Sequence, residues 1–67
     1  MSICTVFGLG YIGLPTAAVL AENGHQVNGI DIEKNVVDTI NKGLIHIVEP
    51  KLDKIVEKVI SNKKLKA

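Results

Sequence analysis

Three glycines in the run Gly8-Leu9-Gly10-Tyr11-Ile12-Gly13, and an acid at Asp31, 18 residues beyond the last of them, are the residues whose types and spacing suggest chemistry. A glycine at the first position permits a tight turn out of a strand. At the second it lets a phosphate approach bare backbone, and at the third it lets a helix pack closely on the strand. The N–H groups of Tyr11 and Ile12 would then lie in the first turn of a helix, whose dipole favours an anion. Their side chains would border a pyrophosphate and its adenosine. A carboxylate at Asp31 would accept hydrogen bonds from ribose hydroxyls and repel a 2′-phosphate, which predicts NAD in preference to NADP. Lys34, about one helical turn further on, would soften that preference. The competing reading of Asp31 is a plain helix cap.

No other residue forms a recognisable reactive set. Cys4 lies inside the first apolar run and reads as a small buried core residue. As the only cysteine it forms neither an internal disulfide nor a cysteine-based zinc site, so no metal is expected. His25 falls in a turn and reads as exposed. His46 stands on an irregular segment with no carboxylate at a useful spacing, and reads as structural. Glu49 is most simply the residue before a helix start. No catalytic residue is assigned.

The elements that must position these residues follow from periodicity. Ile3 to Phe7 is apolar apart from Thr5 and suits a strand of a parallel sheet. A helix is expected from about Tyr11 to Asn23. Its small, flat face comprises Leu14, Ala17, Ala18 and Ala21, with Pro15 near the first turn and Gly24 as the stop. Gln26 to Asp31 reads as the second strand. A short helix spans Glu33 to Lys42, carries Val36, Val37 and Ile40, and ends at Gly43. Leu44 to Glu49 is a loop or extended segment. Pro50 is placed to start a third helix, whose Leu52, Ile55, Val56, Val59 and Ile60 form an amphipathic face opposite Asp53, Lys54, Glu57 and Lys58. Ser61 to Ala67 reads as a polar end, with Lys63-Lys64-Leu65-Lys66 a solvated tail. The expected fold is α/β: a partial Rossmann-type, NAD-binding βαβ unit of two parallel strands and three helices.

Composition narrows the function classes. The chain has 67 residues, a net charge of +1 and 46% hydrophobic residues. That charge provides no basic face for nucleic acid. No apolar run reaches the roughly 20 residues of a membrane span. No cationic leader precedes the first strand, so a cytoplasmic location is expected. Two strands do not complete a doubly wound sheet, so residues 1–67 read as the amino-terminal, incomplete part of a dinucleotide-binding domain.

At these residues the chain resembles the UDP-glucose/GDP-mannose dehydrogenase family. Gly8-Leu9-Gly10-Tyr11-Ile12-Gly13-Leu14-Pro15 is similar to its opening signature, and Gly29-Ile30-Asp31-Ile32 to its second strand. Glu49-Pro50-Lys51-Leu52 resembles the family's E-P-G-L element, with lysine in place of glycine. Within the family, Ile45-His46-Ile47-Val48-Glu49-Pro50, Val37-Asp38-Thr39-Ile40-Asn41 and Lys42-Gly43 most resemble the UDP-N-acetyl-D-mannosamine dehydrogenase branch. The resemblance covers nearly the whole chain. It implies oxidation of a sugar-nucleotide C6 alcohol to a carboxylate, with two NAD and a covalent cysteine thiohemiacetal. It carries NAD contacts onto Gly8, Gly10, Tyr11, Ile12, Gly13 and Asp31. The family's nucleophilic cysteine and its lysine lie far beyond residue 67.

Two other readings compete. One is the front of another dehydrogenase, of the 3-hydroxyisobutyrate or 6-phosphogluconate type, against which Tyr11-Ile12 argues. The other is a stand-alone nucleotide-binding or interaction module without chemistry. On the preferred reading the partners are NAD and, in the complete enzyme, a UDP-sugar. Alone, the chain would bind NAD weakly or not at all, turn over no UDP-sugar, and either self-associate through unpaired strand edges or be partly disordered.

Overall fold

Three parallel strands in the order β1-β2-β3 form the floor on which the site is built. The computed structural model describes residues 2–67. The elements run β1 (Ile3–Phe7), α1 (Gly13–Glu22), β2 (Gln26–Ile30), α2 (Lys34–Asn41), α3 (Leu52–Ser61) and β3 (Leu65–Lys66). In β1 and β2, Cys4 pairs with Val27 and Phe7 with Ile30, so both strands end side by side.

The third strand corrects the expected count of two. The stretch expected to be a solvated lysine tail turns into the sheet: Val27 pairs with Leu65, whose side chain is buried, and the Val27 N–H donates to the Lys64 carbonyl at 2.8 Å. A two-residue strand shows no alternation long enough to read, and three lysines around one leucine mask it.

Alternation along β1 separates two faces. Cys4 and Val6 pack against the core under the helices, whereas Ile3 and Phe7 are each 77% exposed on the other side. Cys4 is half-buried rather than fully buried. The expected alanine face of α1 holds, with Leu14, Ala17, Ala18 and Ala21 all buried. Leu52, Val56 and Val59 of α3 and Ile40 of α2 complete the core.

Helix boundaries are tighter than periodicity suggests. The first begins at Gly13 rather than Tyr11, leaving Tyr11 and Ile12 in the turn. Asp31 lies one residue past β2 rather than in it. Gly24 and Gly43, at φ +94° and +80°, take the left-handed stops that suit glycine. His25 is half-buried and its Nδ1 accepts the Ser2 N–H at 3.2 Å, so it is tied to the chain start rather than freely exposed.

The third helix starts at Leu52, not Pro50, because Lys51 precedes it in the left-handed region at φ 67°. That conformation crowds Cβ against the backbone in every residue but glycine. The one lysine that departs from the E-P-G-L pattern therefore occupies the position where glycine is least strained. Lys51→Gly is expected to stabilise the fold by about 1 kcal/mol. The midpoint of urea unfolding, with an unchanged slope, checks this.

Candidate functional site

The site lies where β1 and β2 end. Beyond β1 the Gly8 N–H donates to the Ile30 carbonyl at 2.7 Å, and the chain turns through Gly8 at φ +85°. Leu9 then folds inward. Its side chain is fully buried, and its N–H donates to Asp31 Oδ2 at 2.9 Å. Gly29 of β2 clears the space: a Cβ there would lie 2.9 Å from Leu9 Cδ2. Gly10 is the opposite case, with nothing within 4 Å of a Cβ built on it. Gly13 returns to the strand so closely that a Cβ would sit 1.6 Å from the Gly8 carbonyl oxygen.

The first backbone bond of α1 runs from the Leu14 N–H to the Gly10 carbonyl at 3.0 Å, and no side chain caps the helix at Ile12. The N–H groups of Tyr11, Ile12 and Gly13 precede that bond, as the free donors of a helix start do. They border a cleft of about 570 Å³ lined by Val6, Phe7, Gly8, Gly10, Tyr11, Ile12, Gly13 and Thr16. A second cleft, of about 180 Å³, is lined by Phe7, Gly8, Ile30, Asp31 and Ile32. The two share Phe7 and Gly8 and so adjoin at the glycine turn, a groove with the helix start on one side and Asp31 on the other.

Asp31 carries the main electrostatic feature. Its Oδ2 accepts the Leu9 N–H and its Oδ1 accepts the Glu33 N–H, both at 2.9 Å. The Leu9 bond, then the Glu33 bond, hold its carboxyl below the ordinary carboxylate range; partial loss of water opposes this, and the charge of nearby His46 adds a smaller lowering. The plain-cap reading of Asp31 is thus partly realised, since Oδ1 holds the entry to α2. The Oδ2 bond, spanning 22 residues, is more than a cap requires.

The six residues expected at the site, Gly8, Gly10, Tyr11, Ile12, Gly13 and Asp31, all line this groove. Lys34 opens α2 in solvent and lines neither cleft. His46 is exposed between half-buried Ile45 and buried Ile47, and the fold brings it near enough to Asp31 to add slightly to the lowering of that carboxyl, a proximity that sequence spacing hides. Cys4 and Glu49 stand apart from the groove. Leu9, Thr16 and Ile32 were not anticipated. Gly29 carried the available signal, since a glycine inside a strand marks close approach of a neighbour.

Parallel strands joined through a helix, with a glycine turn after the first strand and an acid after the second, define a dinucleotide-binding unit of Rossmann type. The sequence carries this further: residues 1–67 match the NAD binding domain of the UDP-glucose/GDP-mannose dehydrogenase family, and the chain belongs to that family. It is 60% identical over 62 residues to a UDP-N-acetyl-D-mannosamine dehydrogenase of Campylobacter jejuni, covering 92% of this chain and 15% of that protein. It is 57% identical over 63 residues to an NDP-N-acetyl-D-galactosaminuronic acid dehydrogenase of Ralstonia nicotianae, covering 94% and 15%. The solved UDP-D-ManNAc dehydrogenase of Pyrococcus horikoshii superposes with a TM-score of 0.91 at 50% identity, over 98% of this chain and 16% of that one. The chain thus spans about 15% of the length of the curated relatives it matches. No helix among the described residues is long and apolar enough to cross a membrane.

The lowered Asp31 pKa has a consequence for stability. A carboxylate with a depressed folded-state pKa contributes stability that is complete above its unfolded value, about 3.9. That contribution is lost as pH falls below 3.9 toward the folded value. Urea unfolding from pH 6 to 2.5 is expected to show this acid-side loss in the native chain and a shallower one in Asp31→Ala.

Proposed function

We propose that the chain is the NAD-gripping amino-terminal part of a UDP-sugar 6-dehydrogenase acting on UDP-N-acetyl-D-mannosamine. The observation that carries this is the pair of clefts that adjoin at the glycine turn, one bordered by the helix start and the other by Asp31. Gly8 supplies the turn, and Gly10 leaves bare backbone for the pyrophosphate. The N–H groups of Tyr11, Ile12 and Gly13 bind its oxygens at the positive end of α1. Asp31 accepts the adenosine ribose hydroxyls and disfavours a 2′-phosphate, which selects NAD. Bound there, NAD would take up hydride from the alcohol. This chain's own part is to bind and orient the adenosine half. The substrate assignment rests on the named mannosamine relatives, and the galactosaminuronic relative names a competing sugar.

The open sheet face supports the view that residues 1–67 are one part of a larger domain. The bare face that carries exposed Ile3 and Phe7 and the unpaired edge of β1 are surfaces that further helices and strands of a doubly wound domain cover. On this reading the isolated chain self-associates and works in the cytoplasm, the reducing compartment that suits a lone thiol.

Two measurements test the proposal. In an NMR titration with NAD, the isolated chain is expected to bind weakly, with shifts confined to the amides of residues 8–13 and 31. Gly10→Val is expected to abolish them with an unchanged circular dichroism spectrum, since its side chain meets only the open groove. Shifts that survive in this variant would show that the turn does not hold phosphate. The isolated chain is further expected to give no reduced cofactor, by absorbance, with NAD and UDP-N-acetylmannosamine. Turnover would place catalytic groups within these 67 residues.

A further inference from the structure

Leu9 and Asp31 are 22 residues apart, yet the Leu9 N–H and Asp31 Oδ2 meet at 2.9 Å where the turns after β1 and β2 come together. The other oxygen of the same carboxylate holds the Glu33 N–H at 2.9 Å, at the entry to α2. One side chain therefore bonds both turns that border the groove, the one after β1 and the one after β2. An ionised carboxylate offers about four acceptor sites, so two remain for a ligand. Leu9 is held a second way, by its fully buried side chain lodged against Gly29 of β2. Gly10, next in sequence, has no side chain to pack and nothing around its Cβ position. The conformation of the bare stretch from Gly10 to Ile12 is thus governed by its anchored neighbours, Leu9 before it and Gly13 after it.

We propose that Asp31 is a positioning residue for the glycine turn: the carboxylate at the ribose end of the groove latches the Leu9 amide and so sets the pyrophosphate end before any nucleotide arrives. The inference rests on the nucleotide-binding reading and adds to it. A carboxylate serving the ribose alone affects only ligands that carry ribose hydroxyls. A latch also affects ligands that lack them. Because the donors are held in place beforehand, binding does not have to order the turn.

The test separates the two roles. Amide hydrogen exchange is measured by NMR on the ligand-free chain for the native protein, Asp31→Ala and Asp31→Asn, the last retaining one acceptor oxygen if the alanine variant unfolds. Exchange at Leu9 is expected to rise on the order of tenfold in Asp31→Ala, as for loss of a bond to a charged acceptor. The buried α3 amides are expected to stay protected. Affinities for ADP and 2′,3′-dideoxy-ADP are then compared by NMR titration. The latch predicts that the variants weaken both nucleotides, the dideoxy form by about fivefold or more. Unchanged Leu9 exchange together with an unchanged dideoxy-ADP affinity overturns the latch, while a selective loss of ADP keeps the ribose role. Failure of the native chain to bind either nucleotide fits the expectation for an incomplete domain, and the exchange data then decide the latch alone: unchanged Leu9 exchange in Asp31→Ala overturns it.

Discussion

The contact between Gly13 and the Gly8 carbonyl is the constraint on which the rest depends. At 1.6 Å from that oxygen there is no room for any Cβ, and the Gly8 carbonyl carbon lies only 2.8 Å from the same point. Both partners are backbone, so no rotamer change relieves the crowding. The approach brings the start of α1 down onto the end of β1. From there Ala17, Ala18 and Ala21 continue the close contact along the helix, and all three are buried. The same geometry aims the free N–H groups of the helix start at the strand ends. Packing and the placement of the helix's free donors are thus fixed together by one residue without a side chain.

Close packing of this kind costs buried apolar area, because alanine and glycine bring little of it. The missing bulk comes from elsewhere. Leu52, Val56 and Val59 of α3, Ile40 of α2, Leu65 of β3 and Leu9 of the turn fill the space. Leu9 does two things that usually fall to different residues, since its side chain belongs to the core and its amide to the groove. A chain of this size buries only about 60% of its unfolded surface, so the core tolerates little loss.

The parts legible in the sequence were those with a period or a fixed spacing. The alanine stripe, the glycine turn and the acid after the second strand all stand where spacing placed them. What stayed hidden depends on contacts between distant residues. Leu9 occupies a variable position of the glycine motif, and only the fold shows that Gly29 makes space for it. His46 comes near Asp31 because Ile45 and Ile47 turn inward on either side, a proximity that the 14 residues between them conceal. Lys51 takes a left-handed conformation that its side chain does not advertise.

The third strand is the element least legible in the sequence, and its bonding explains why. Two residues form too few ladder bonds to stand alone, so side chains supply the remainder. Gln26 Nε2 donates to the Lys63 carbonyl at 3.0 Å. At the other end Asn41 Nδ2 donates to the Ala67 carbonyl, and Asn41 Oδ1 accepts the Ala67 N–H, both at 2.9 Å. An asparagine amide presents an N–H donor and a carbonyl acceptor side by side, as a strand backbone does, so Asn41 takes the place of a neighbouring strand at that point. The strand thus depends on amide side chains from β2 and α2, 37 and 26 residues away. Such a strand is specified by tertiary structure already in place, and no local reading of Leu65 and Lys66 contains it.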